Sequence, residues 1–314
     1  MALETAAGRR GSADHPELDR LTSAMVECRS ASAVHALIGD AQAVLVESLA
    51  AAPGGVPRVG LDRAPLFDLA SLTKPWMASL AVVLAASDEA PMALALGEIW
   101  PRVSPELRPV TLGEMLRHRG GFRAWAPLYG LCRRREEVAR ALLDGSLRSG
   151  GVPVYSDLDY ILWGESVKRL TGEDLDRLLA RRILEPLGLR RVDRQGVADR
   201  SVPCRLDGSR EQELARTQGI SLRPPAPPRA GEPHDGNARF LGGLAGHAGL
   251  FATGAAVWAL GRLWLRPDVL LGAAGVSAAL GGSGRFAAGW WRRRVRGSAG
   301  PHLSPEAFGH TGFT

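Results

Sequence analysis

Lysine is almost missing from this chain. Of its 39 lysines and arginines, only Lys74 and Lys168 are lysines. On a surface the two residue types exchange easily, but a guanidinium effectively never gives up its proton, whereas an amine can. A lysine that persists against so strong a preference hints at chemistry. Lys168 tempers the hint, because a surface lysine persists too. Cysteine is scarce as well. Cys28, Cys132 and Cys204 are odd in number, scattered and without C-x-x-C spacing, which excludes a disulfide framework and a zinc ribbon. The seven histidines include no H-E-x-x-H or similar ligand spacing, so no metal site is expected. Walker and Rossmann fingerprints are missing, and no cofactor is expected. A G-x-S-x-G elbow is missing too, which removes the α/β-hydrolase alternative.

Long apolar runs are also lacking. No stretch approaches the roughly 18 consecutive apolar residues of a spanning helix. Residues 1–19 are polar and charged, with no apolar core of a signal peptide. The sequence therefore predicts a soluble, cytoplasmic protein with no membrane partner. The formal charge of +6 raises the question of nucleic acid. The densest basic runs, residues 133–135 and 292–294, lie among no stacking aromatics and in no nucleic-acid module, so none is expected as a partner.

What remains is ordinary globular composition: 45% hydrophobic and 23% charged over 314 residues, enough for a sizeable core. Residues 1–15 read as a disordered leader and 16–314 as one domain. Helical spacing covers residues 18–34, and 41–49 read as a buried strand, followed by the turn Pro53-Gly54-Gly55. Residues 76–86 are so continuously apolar that they read as a helix buried on most sides. Pro75 removes the amide that the Ser71 carbonyl would otherwise bind, so the first turn should be irregular. Residues 135–147, 158–170, 175–183 and 255–265 read as helices, and 286–295 and 307–314 as late strands. The proline run at 224–228 reads as an extended loop. Strand pieces near both ends with helices between them predict an α/β (α+β) fold. Its α/β part covers about 16–88 and 237–314, and its helical part about 89–236.

The chemistry centres on Ser71-Leu72-Thr73-Lys74. Residues three apart share a helix face, so the amine can reach the hydroxyl. A serine hydroxyl is a poor nucleophile until a base takes its proton, and a lysine can do so when its surroundings lower its pKa. The bland alternative is a helix cap followed by a surface lysine. It is harder to hold here, because the segment lies between two strongly apolar runs.

The run Phe67-Asp68-Leu69-Ala70-Ser71-Leu72-Thr73-Lys74-Pro75 resembles the nucleophile segment of serine β-lactamase-like hydrolases and penicillin-binding proteins. Tyr155-Ser156-Asp157 resembles their second motif, Tyr-x-Asn, and His310-Thr311-Gly312 their third, Lys-Thr-Gly or His-Thr-Gly on a late strand. The likeness spans about residues 65–314, and Thr111 to His118 and Leu244 to Phe251 resemble connecting segments. It implies an antiparallel sheet flanked by helices, with an inserted all-helical region, and acylation of Ser71 with Lys74 and Tyr155 handling protons. It further implies hydrogen bonding or positive charge from His310, an oxyanion hole from the amides of Ser71 and Phe313, and close substrate approach at Gly312. Asp157 replaces the usual Asn; a carboxylate only accepts and should favour a protonated Lys74. With His310 in place of lysine, this points to the esterase-like branch of the family. The expected partner is a small-molecule ester, amide or lactam. β-Lactam or D-alanyl-D-alanine peptide hydrolysis is one alternative.

The chain stops just past the third motif, where family members continue with a strand and a helix. The resemblance therefore also leaves open a C-terminally truncated, catalytically inactive binding or regulatory homologue, with the His310 strand as an exposed edge. His247-Ala248-Gly249 competes as a second H-x-G. It precedes an apolar helix rather than lying on a hairpin strand, and reads as a loop near the site.

Overall fold

The structure is a computed structural model that describes residues 1–5, 15–52, 64–150, 152–192, 194–204, 208–222, 226–292 and 303–313. The Pro53–Gly55 turn, Gly151, Pro224 and Pro225, Arg293 and Arg294, His302, Thr314 and most of the expected leader lie outside them.

The strands in chain order are β1 (Ala2–Thr5), β2 (Ala33–Gly39), β3 (Val44–Ala51), β4 (Phe67–Asp68), β5 (Leu189–Val192), β6 (Phe251–Ala252), β7 (Phe286–Ala287), β8 (Trp290–Arg292) and β9 (Phe308–Gly309). Among the described residues they form three small sheets: β4-β6-β1-β5, the hairpin β2-β3, and β7-β8-β9. Every pair is antiparallel except β1 with β6. The mixed α/β class expected from the sequence is what the structure has.

Several expectations need correction. Residues 2–5 are a strand rather than a disordered leader, because they find ladder partners in β5 and β6. β5 lies within the region expected to be all helical. The helix expected over 18–34 is Pro16–Glu27, and β2 takes over at Ala33. Ala33 and Val34 pair with Ala51 and Ala50 across the hairpin, so tertiary pairing overrides the helical period there. The strand expected over 286–295 is a tight hairpin, turning at Gly289 with φ +76°.

The helix Thr73–Ala86 runs through the core. Eleven of its fourteen residues are buried, and Trp76, Met77 and Leu80 are fully so; each contributes roughly 2–3 kcal/mol of burial. Its two polar core residues beyond Lys74 are satisfied: Thr73 Oγ1 accepts from the Leu250 amide, and the Ser79 hydroxyl donates to the Pro75 carbonyl and accepts from Trp264 Nε1. Ahead of it, Ala70–Leu72 is a 3₁₀ turn, the irregular start that Pro75 demands. The second long core helix, Asp157–Thr171, is capped by the Ser156 hydroxyl, which accepts from the Asp159 amide. It ends at Gly172, whose left-handed conformation releases the chain. These two helices carry the first two motifs to one place. Among the described residues no helix is long and apolar enough to cross a membrane.

Candidate active site

Ser71 sits on the 3₁₀ turn, held from both sides. The Leu69 amide donates to the Leu250 carbonyl at 2.9 Å. Ala70 adopts φ +43°, a costly conformation for a residue with a Cβ. Asp68 holds it there: Oδ1 accepts from the Ala70 amide at 3.0 Å, and Oδ2 from the His234 amide at 2.7 Å. Burial pushes the Asp68 carboxyl up to about 6, against the pull of those two amides.

One turn on, Lys74 is fully buried. Its ammonium donates to Ser71 Oγ at 2.9 Å, to Asp157 Oδ1 at 2.7 Å and to the His247 carbonyl at 3.2 Å. Three donors meet three acceptors, which is the full capacity of an ammonium. Burial pulls the amine's pKa down, but Asp157 and Tyr155 outweigh it and hold Lys74 above its ordinary value. In the resting site Lys74 is a cation.

Tyr155 lies just before the Asp157 helix. Its ring centroid is 4.8 Å from Lys74 Nζ, and its hydroxyl interacts with both Lys74 and Ser71. Burial raises the phenol and Asp157 adds to that, while Lys74 opposes. Around it stand His118 at 4.5 Å between ring centroids, Trp291 at 5.5 Å, His310 at 5.8 Å and Phe286 at 6.1 Å. The third motif therefore closes over the second.

Of the two roles that the resemblance allows His310, its surroundings favour hydrogen bonding over positive charge. Burial, and then Lys74, push it down to about 3; its Nε2 is buried with no hydrogen-bond partner among the described residues. Thr311 and Gly312 follow β9 at the surface, and Phe313 is largely exposed. A Cβ on Gly312 would stand 2.6 Å from the Leu69 carbonyl and 3.6 Å from Ala70 Cβ. Glycine here thus lets the segment after β9 approach the nucleophile turn itself, not only a ligand.

Three participants were not read from the sequence. His118, with φ +56°, places Nδ1 3.0 Å from both the amide and the carbonyl of Ser156, bracing the second motif from behind. Burial and the nearby Lys74 push it well down, so it is neutral. Asp68 stands within the nucleophile segment but carries no role legible from it, and Asp235 is far from Ser71 in the chain, so only the fold brings it near. His247, read as a loop near the site, lies in one: its side chain is buried and its carbonyl accepts from Lys74. No metal-binding cluster occurs among the described residues.

Residues 18–314 match the Beta-lactamase family. The chain belongs to that family. Among curated relatives, a "Putative D-alanyl-D-alanine carboxypeptidase" of Escherichia coli (strain K12) is 30% identical over 238 residues, covering 65% of this chain and 52% of the relative. An "N-acetylmuramyl-L-alanine amidase" of Bacillus subtilis (strain 168) is 29% identical over 189 residues, covering 53% and 41%. The chain spans about half the length of the curated relatives it matches. Among solved structures, a penicillin-binding protein homolog from Caulobacter crescentus superposes with TM-score 0.66 at 17% identity, covering 97% of this chain and 88% of that one. "EstCE1, a hydrolase with promiscuous acyltransferase activity" gives TM-score 0.64 at 16% identity, with 87% and 81% covered. At these identities the structures speak for the fold.

Proposed function

We propose that this beta-lactamase-family chain is a serine hydrolase that cleaves small esters or amides through an acyl-enzyme on Ser71. One observation carries the reading: a buried Lys74 bonded to Ser71 Oγ and Asp157 Oδ1, with the Tyr155 ring centroid 4.8 Å from its nitrogen. Ser71 Oγ attacks the substrate carbonyl, and its proton passes into the Lys74–Tyr155 pair. A C–O bond forms, the bond to the leaving group breaks, and the pair returns the proton to that group. Water then repeats the sequence and frees the acid. The amides of Ser71 and Phe313 are the proposed donors to the oxyanion.

Because the resting Lys74 is a cation, the pair must lose one proton before it can receive that of Ser71. Acylation should therefore rise with pH. Asp157 sets where, since it holds Lys74 up. In Asp157→Asn the burial of Lys74 dominates and the amine's pKa falls. The acid limb of the acylation rate should then move to lower pH by roughly 1–3 units, measured by stopped-flow labelling at a series of pH values. An unmoved or upward-shifted limb would contradict the role given to Lys74.

The proposal is tested by intact-mass spectrometry after exposure to a fluorophosphonate. Wild type should gain one adduct and Ser71→Ala none, with both variants folded by circular dichroism. A folded wild type that gains no adduct would sink the hydrolase reading and leave a binding homologue in its place.

A further inference from the structure

The proposed reaction makes no use of a second charged pair that lies against Lys74. His247 is 1% exposed, and both its ring nitrogens face acceptors. Nδ1 lies 2.8 Å from the Ala245 carbonyl, and Nε2 lies 2.9 Å from Asp235 Oδ1. A carbonyl only accepts, so Nδ1 carries a proton. Asp235 Oδ1 already accepts from the Ala238 amide at 2.7 Å, which is the arrangement of an ionised carboxylate, so Nε2 carries a proton too. His247 is therefore an imidazolium. The charges agree: despite burial, Asp235 raises His247, while His247 holds the Asp235 carboxyl down at about 2.

The backbone that carries His247 is fixed just as tightly. Gly246 and Gly249 both have positive φ, and a Cβ on Gly246 would stand 2.2 Å from the Tyr160 carbonyl. The His247 amide turns back to the Ala245 carbonyl at 2.6 Å. Leu250, three residues on, accepts from the Leu69 amide, and its own amide donates to Thr73 Oγ1. On the other side, Asp235 stands between His234, whose amide holds Asp68, and Asn237, whose side chain binds the Leu128 amide and the Ala126 carbonyl. The 124–128 segment in turn receives the Asp157 amide at Ala124. The stretch 234–250 thus touches Asp68 before the nucleophile, Lys74, and the 124–128 segment that receives the Asp157 amide.

We propose that the buried Asp235–His247 ion pair positions Lys74, by fixing the His247 carbonyl that accepts one of its three N–H donors. Asp235 is then a positioning residue: it acts through His247 and touches no reacting atom. This rests on the reading of Ser71 and Lys74 as the acylating pair. Without the pair's charge the imidazole loses its fixed orientation, the turn relaxes, and the Lys74 amine drifts from Ser71 Oγ.

The test is Asp235→Asn, which keeps an oxygen for the Ala238 amide but removes the charge. Fluorophosphonate labelling of Ser71 should slow about 100-fold at saturating reagent, with the half-saturating concentration unchanged. A merely structural defect would weaken saturation or melt the protein instead. Alongside it, ¹⁵N NMR of histidine-labelled wild type at neutral pH should find both His247 ring nitrogens protonated. Labelling of folded Asp235→Asn at the wild-type rate, or a neutral His247 in wild type, would overturn the proposal. Should that variant fail to fold, His247→Gln, which removes the imidazolium charge, takes its place, and labelling at the wild-type rate would overturn the proposal. A wild type that does not label at all would count against the Ser71 reading, while the NMR measurement still decides whether the pair exists.

Discussion

Lys74→Arg is expected to slow acylation of Ser71 by a factor of about 1,000 or more, within the range of lost proton-transfer catalysis. The substitution keeps the charge, and in a chain so rich in arginine it looks conservative. The site allows neither of the two things arginine would need. Lys74 is fully buried, with acceptors at 2.7, 2.9 and 3.2 Å arranged around one nitrogen. A planar guanidinium needs a wider, flatter set of partners. It also cannot take up the Ser71 proton, because it does not lose its own. Labelling rate against pH would check this: wild type should rise with pH, and Lys74→Arg should stay low and flat. Melting curves should be read beside it, since the larger side chain strains a packed helix. A folded Lys74→Arg that labels within tenfold of wild type would remove Lys74 from proton transfer and leave it an electrostatic prop.

The scarcity that makes Lys74 conspicuous is also why the first motif was legible. Serine and lysine three apart need only one turn of helix to meet, and the apolar run 76–86 announced that helix and its burial. The protonated state of Lys74 followed from a single letter, the carboxylate of Asp157. Tyr155 and His310 were legible only as motifs; that they meet at 5.8 Å depends on β9 folding back over the second motif. Asp235 was not legible at all. Its partner His247 is 12 residues away with no repeating spacing between them, and the close turn at Gly246 and Gly249 is a matter of backbone conformation. Nor could periodicity find β1, since four residues carry too little pattern and its partners lie beyond residue 188. The helical expectation for residues 33 and 34 failed for the same reason: hairpin pairing decided their structure.

Tyr155→Phe is expected to slow acylation about 100- to 1,000-fold while leaving the fold intact, and the size of the loss should depend on the leaving group. The ring is the packing element, and phenylalanine keeps it. His118, Trp291, His310 and Phe286 all meet that ring at centroid distances from 4.5 to 6.1 Å. What vanishes is the hydroxyl, which interacts with Lys74 and Ser71. If that hydroxyl returns a proton to the departing group, an ester with a nitrophenolate leaving group should tolerate its loss best, since that anion leaves unaided. An alkyl ester or an anilide, whose leaving group must be protonated, should suffer most. The variant should also shift the acid limb to lower pH, because Tyr155 is one of the groups that holds Lys74 up. Comparing the two ester classes in wild type and Tyr155→Phe isolates the proton delivery from everything else the residue does. An equal loss for both classes would assign the hydroxyl to activating Ser71 alone, and no loss for either would make Tyr155 a packing residue.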